Sequence, residues 1–162
     1  MINNKIINID IGSQTLDLID DQIIAASYEV STSKYGTGQQ EGSYKTPLGM
    51  HAIKAKIGAS CPSDAIFKGR RWVGRTYSNH EPSEDPIMAR ILWLSGLEVG
   101  YNRLGDVDTM QRYIYIHGTP SINMGNGPSS IGCIRMHAED IITLFDLVDV
   151  GTRVAIHDHG TT

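Results

Sequence analysis

Three short runs near the start of the chain alternate apolar and polar residues, with turn-forming residues between them. Lys5-Ile6-Ile7-Asn8-Ile9-Asp10-Ile11 alternates in part and is broken by Gly12-Ser13-Gln14. Thr15-Leu16-Asp17-Leu18-Ile19 alternates again, and an Asp20-Asp21 turn leads into Gln22 to Val30. A period of two sends successive side chains to opposite faces of a strand, so these runs predict an antiparallel meander. The 17 glycines fit many turns and short strands better than a helical bundle.

Further along, Ser31 to Gly49 is rich in Gly, Ser, Thr and Lys and reads as a long loop. His51 to Ile57 reads as the next strand. Cys61 to Pro86 holds three of the six prolines among polar residues, so an irregular excursion is expected. Met88 to Leu97 is apolar, and its periodicity does not separate strand from short helix. Tyr113-Ile114-Tyr115-Ile116 is β-branched and aromatic and predicts a strand that delivers His117 at its end. Pro120 to Ser130 reads as a loop. Ala138 to Val148 has helical apolar spacing with Glu139 and Asp140 in its first turn, where acidic side chains complement the helix dipole. Gly151 ends it, and Thr152 to His157 closes the chain as a strand. The expectation is one mostly-β (α+β) domain over residues 1–162 with one or two short helices, without repeats or linkers. Such a length buries roughly 70% of the unfolded surface.

Bulk properties exclude several classes. Apolar residues make up 40% and charged residues 20%, an ordinary globular balance. A net charge of −4 provides no footprint for nucleic acid or an anionic membrane. Arg70-Arg71 beside Trp72 is the nearest approach to a basic-aromatic patch and reads as a solvated turn. Met1 to Ile24 carries one Lys and four Asp among interrupted apolar runs, unlike a secretory signal. No stretch approaches the ~20 apolar residues of a membrane span. Two cysteines, Cys61 and Cys133, are too few for a disulfide scaffold and suit a reducing compartment. A cytoplasmic location is expected, with the periplasm by another export route as the alternative.

The residues that carry chemistry are His117-Gly118-Thr119 and, after a glycine-rich loop, Ser130-Ile131-Gly132-Cys133-Ile134-Arg135-Met136. A thiol is a nucleophile only as the thiolate, and a neighbouring imidazole can take its proton. A loop of this length can fold back so that His117 and Cys133 meet. Gly132 lacks a Cβ, so its peptide can approach a substrate closely, and the N–H groups of Gly132 and Cys133 are candidate oxyanion donors. On residue types alone, a buried packing residue is the commoner reading of Cys133.

The whole pattern resembles the L,D-transpeptidase (YkuD-domain) family, whose signature is a His followed by Ser-x-Gly-Cys-Ile/Val-Arg-Met. Ile9 to Val30 looks like that family's opening hairpin, Thr46-Pro47-Leu48-Gly49 like its Thr-Pro-x-Gly element, and Tyr115 to Thr119 like its strand into the His. Asp140 to Val154 looks like its terminal helix and strand. The resemblance implies a YkuD-like β-sandwich. It also implies a two-step reaction in which Cys133 attacks a peptidoglycan stem tetrapeptide, D-alanine leaves, and an amine or water resolves the thioester. His117 would be base and then acid, the Gly118 carbonyl would orient its ring, and Ser130 would support the loop or the His. Arg135 fits two roles, holding a substrate carboxylate or forming a structural salt bridge. Tyr101 is a candidate substrate-lining residue by its place upstream of His117.

Two positions depart from the family pattern. Ile131 stands where many members have a second His, which leaves His117 as the evident base. Ala138 stands where many have Asn. His137 reads as a helix-start surface residue, and His157 and His159 as solvated rather than metal-binding. Cys61 reads as a passive thiol. No cofactor or metal is expected. The expected partners are peptidoglycan-derived peptides (muropeptides), with no nucleic acid and no membrane; the oligomeric state is left open.

Soluble substrates would favour water as the acyl acceptor, and hence an L,D-carboxypeptidase that trims muropeptide tetrapeptides in recycling. The alternative is an L,D-transpeptidase that forms 3-3 cross-links or exchanges D-amino acids. A sortase-like enzyme fits less well, because its Arg follows the Cys more distantly and its His lies further upstream. A non-catalytic peptide-binding module has no need of both His117 and Cys133.

Overall fold

A computed structural model of the protein describes residues 4–77 and 85–159. Its strands are β1 (Lys5–Asp10), β2 (Thr15–Asp20), β3 (Ile23–Ser31), β4 (Gly49–Ile57), β5 (Ala65–Lys68), β6 (Arg71–Thr76), β7 (Ile87–Gly96), β8 (Tyr115–Thr119), β9 (Ile134–His137) and β10 (Arg153–His157). One α-helix, α1 (Ala138–Leu147), lies between β9 and β10. The architecture is mostly β, as the alternating runs predict, and β1, β2 and β3 form the expected antiparallel meander.

The strands run in the order β4-β10-β1-β2-β3-β9-β8-β7-β5-β6, and β4 also pairs with β7. The sheet therefore returns on itself, closing a ring from which β5 and β6 project as a hairpin. β7 serves both parts. Its first two residues pair with β5, and Ile91 to Gly96 pair with β4.

The pleat decides what each face does. Ile7, Ile9, Leu16, Leu18, Leu92, Leu94, Ile116, Ile134 and Met136 point to one side and form the main core. Burying each such side chain contributes about 1.5–3 kcal/mol. α1 packs Ile141, Leu144 and Phe145 into the same core at helical spacing. On the opposite face of β7 and β8, Ile91 and Tyr115 form a smaller cluster with Ala65 and Phe67 of β5. That outer face is where the chemistry-bearing side chains collect.

Several local expectations are corrected. The excursion from Cys61 to Pro86 contains the β5–β6 hairpin; residues 78–84 of it lie outside the described residues. Alternation there is too short to stand out, and the hairpin is stabilised by pairing with β7 rather than by its own sequence. The apolar run from Met88 resolves to strand, β7, which pairs with β4 and with β8. The strand into the His starts at Tyr115, since Tyr113 has a positive φ of 56°. It also continues past His117, which lies mid-strand and not at the end. Ile134 to His137 is a strand that no alternation announced; it pairs with β8 in parallel. Among the described residues no helix is long and apolar enough to cross a membrane.

Candidate active site

The parallel pairing of β8 and β9 sets Ile116 beside Ile134 and His117 beside Arg135. With the two isoleucines turned into the core, Tyr115, His117, Cys133 and Arg135 share the outer face. Cys133, His117, Ser130 and Arg135 line one cavity of about 260 Å³. Tyr113, Tyr115, Ile87, Ile131 and Asp85 complete its walls. The cysteine and histidine that the sequence singles out thus meet in one place.

The turn that carries Cys133 is held from three sides. Ser130 Oγ donates to the Cys133 carbonyl at 2.6 Å and accepts from the Gly132 amide at 3.2 Å. Thr46 Oγ1 donates to the Gly132 carbonyl at 2.8 Å. Gly132 has φ 135°, in the region that L side chains rarely adopt, and a Cβ there would lie 3.3 Å from Ile114 Cδ1. Because its N–H is engaged by Ser130, Gly132 is a poorer oxyanion donor than the sequence suggests.

The thiol has two backbone neighbours. Its sulfur accepts from the Tyr115 amide at 3.4 Å, and its S–H points to the Tyr113 carbonyl at 3.5 Å. Burial pushes the Cys133 pKa up to about 11, against the smaller opposing effects of the Tyr115 amide, Arg135 and Arg112. At pH 7 only about one thiol in 10⁴ is ionised at such a pKa. Burial also lowers His117 to about 4, against the effect of its hydrogen bond to Gly118. The resting pair is therefore a neutral thiol beside a neutral imidazole.

His117 Nδ1 lies 2.7 Å from the Gly118 carbonyl. That carbonyl can only accept, so Nδ1 carries the proton and Nε2 keeps its lone pair. Gly118 is itself required by packing, because a Cβ there would come within 2.3 Å of the Met88 carbonyl.

Of the two roles left open for Arg135, the structure shows the salt bridge. Its guanidinium pairs with Asp85 and donates to the Asn123 carbonyl at 2.9 Å, while also lining the cavity. Tyr101 is placed elsewhere. It stands on the turn after β7, beside Gly49, and does not line the cavity. The aromatic walls are Tyr113 and Tyr115 instead. Cys61 packs at the edge of the smaller cluster. His137 precedes α1 and faces Ser121 Oγ at 3.0 Å. The rings of His157 and His159 lie 4.3 Å apart, and His157 faces Asn8 Oδ1 at 3.0 Å. No group of three or more His, Cys, Asp or Glu side chains suited to a metal ion occurs among the described residues.

Sequence reasoning missed four contributors. Arg112 donates to the carbonyls of Gly38, Gln39 and Lys45, tying the 36–46 loop to the segment that leads into β8. Asp85 meets Arg135 only through the fold. Thr46 lies in the quoted Thr-Pro-Leu-Gly element, which was the one available signal. Arg70 is not simply solvated; its guanidinium lies 4.8 Å from the Trp93 ring centroid and 4.9 Å from that of Tyr113.

The chain and its fold have matches among known proteins. The family model described as "L,D-transpeptidase catalytic domain" (YkuD) matches residues 4–156. The chain belongs to that family. It is 37% identical over 75 residues to a Bacillus subtilis protein named "Putative L,D-transpeptidase YqjB", a match over 46% of this chain and 37% of that one. Bd1075 of Bdellovibrio bacteriovorus has a similar fold, with TM-score 0.60 and 16% identity over 97% of this chain and 48% of that one. An L,D-transpeptidase from Xylanimonas cellulosilytica gives TM-score 0.57 and 19% identity over 96% of this chain and 61% of that one. The chain thus spans less than two thirds of each of these proteins, and the structural matches establish the fold alone.

Proposed function

We propose that the protein is a cysteine acyltransferase acting on peptidoglycan stem peptides, with Cys133 as nucleophile and His117 as general base and then general acid. The observation that carries this reading is the convergence of Cys133 and His117 in one cavity, with Nε2 of the imidazole left as proton acceptor. The support for peptidoglycan as substrate is membership of the family.

In the first step Cys133 Sγ attacks the carbonyl before the terminal D-residue, and the S–H proton passes to His117 Nε2. Because both groups rest neutral, proton transfer accompanies attack. We assign the Cys133 amide as a donor to the developing oxyanion. His117 then returns the proton to the departing amine, and D-alanine leaves a thioester on Cys133. In the second step an acceptor gives its proton to His117 and its electron pair to the thioester carbonyl, and the thiol is restored.

Water is the acceptor we favour, which makes the activity that of an L,D-carboxypeptidase on muropeptide tetrapeptides. A cavity of about 260 Å³ is at the small end for a ligand site and admits water more readily than a second peptide chain. A second reading, L,D-transpeptidation, is favoured by an adjoining cavity of about 370 Å³ that shares Asp85 and Ile87 with the first. The two unpaired thiols support a cytoplasmic setting, and with it a role in recycling.

The test is product analysis by mass after incubation with disaccharide-tetrapeptide in ¹⁸O-water, with and without an added D-amino acid. A ¹⁸O-labelled tripeptide product supports hydrolysis. A D-amino-acid-exchanged or cross-linked product selects transpeptidation. No product with any stem peptide overturns the peptidoglycan assignment.

A further inference from the structure

Arg70 sits at the turn between β5 and β6 with φ 65°, and the hairpin carries it against Tyr113 and Tyr115, two walls of the Cys133 cavity. Its guanidinium rests over the rings of Trp93 and Tyr113 and donates to the Tyr115 hydroxyl at 3.0 Å. Tyr113 and Tyr115 both line the cavity. Tyr115 spans the interval between charge and nucleophile, because its amide reaches the Cys133 sulfur while its hydroxyl reaches Arg70.

The three arginines around the site are not equivalent. Arg135 is neutralised by Asp85, and Arg112 spends its donors on loop carbonyls. Arg70 is held by neutral partners, two rings and a phenol, and no carboxylate among the described residues forms an ion pair with it. A guanidinium has five N–H donors in a planar fork suited to a carboxylate, and the Tyr115 hydroxyl takes one. Stacking on the rings leaves that fork oriented and charged beside the tyrosines that wall the cavity.

We propose that Arg70 is a specificity-determining residue that binds the terminal carboxylate of the peptide attacked by Cys133. A free terminal carboxylate lies one residue beyond the scissile carbonyl, about 3.5 Å of extended chain. In the proposed complex it leaves the sulfur along Tyr115, whose hydroxyl holds the guanidinium. Such a contact makes the enzyme exo-acting, since a peptide that continues past this residue, or ends in an amide, offers no anion there. The identity of the peptide rests on the acyltransferase reading above; the anion subsite itself does not.

The first measurement is alkylation of Cys133 in a Cys61→Ser background, comparing anionic iodoacetate with neutral iodoacetamide at low ionic strength. Arg70→Gln is expected to lower the iodoacetate-to-iodoacetamide rate ratio by about fivefold, and Arg70→Lys to keep part of the preference. Added salt should shrink the wild-type ratio and leave the Gln variant's ratio unmoved. An Arg70 that only pins the hairpin would change both rates together, and an unchanged ratio overturns the proposal. Arg70→Lys and the salt dependence decide the matter if Arg70→Gln does not fold. The second measurement compares tetrapeptides ending in a free acid and in an amide. The acid should be preferred by about tenfold in kcat/KM, mainly through KM, and Arg70→Gln should erase the preference. An equal preference in wild type and variant overturns the proposal. Turnover of neither peptide overturns the acyltransferase reading, and the alkylation ratio then decides Arg70 alone.

Discussion

Thr46 Oγ1 donates a hydrogen bond of 2.8 Å to the carbonyl of Gly132, 86 positions away, and so ties the 36–46 loop to the turn that presents Cys133. The same oxygen accepts the Ser33 amide at 3.0 Å. Thr46 is fully buried, so neither partner has water to fall back on. Thr46→Val keeps the shape and strands both groups. We expect a loss of about 2 kcal/mol, lowering Tm by roughly 5 °C in thermal denaturation, with kcat falling further than stability accounts for.

Gly132→Ala separates activity from stability in the other direction. The added methyl finds nearly enough room, but the φ of 135° is strained for any L side chain. Relaxing that strain moves the Cys133 sulfur. The expected outcome is a Tm within a few degrees of wild type and a kcat/KM about 10- to 100-fold lower, measured by D-alanine release.

Acid should destabilise the fold earlier than carboxylates alone would. His51 and His117 are both buried and neutral, with pKa values lowered to about 4 by burial. The unfolded imidazoles titrate near 6.5, so between that pH and 4 the unfolded chain binds more protons. Stability is then fully present above pH 6.5 and is lost as pH falls toward 4, by roughly 3 kcal/mol for each His. Urea midpoints measured from pH 7.5 to 4.5 should show this slope. His51→Gln should remove its share, since His51 does not line the Cys133 cavity and its ring lies 2.9 Å from Thr109 Oγ1.

The thiol's protonation state has its own signature. With Cys133 raised to about 11, its alkylation by iodoacetamide should climb about tenfold per pH unit from pH 7 to pH 10. A preformed thiolate–imidazolium pair would instead give a plateau near neutrality. Mapping the alkylated peptide distinguishes Cys133 from Cys61.

The parts of this molecule that sequence made legible are those with local signals. Alternation at Ile7, Ile9, Leu16 and Leu18 marked a buried face, and spacing of Ile141, Leu144 and Phe145 marked the helix. The Ser130-to-Met136 motif and His117 pointed to the proposed nucleophile and base, which line one cavity. What remained hidden depends on distant pairing. β9 is four residues long and β5 is four, too short for a period to appear, and both exist because β8 and β7 pair with them. Asp85, Arg70 and Arg112 reach the site only through those pairings. Tyr101 stands upstream of His117 along the chain, whereas the cavity walls are Tyr115 on β8 and Tyr113 in the turn before it.

The central claim is that Cys133 forms a thioester with a stem peptide, and intact-protein mass spectrometry after rapid acid quench tests it most directly. Mixed with disaccharide-tetrapeptide, the wild-type chain should gain the mass of the substrate less D-alanine, mapped to the peptide containing Cys133. The Cys133→Ala variant should gain nothing and release no D-alanine. Release of D-alanine undiminished in Cys133→Ala, with no adduct in wild type, would contradict the account.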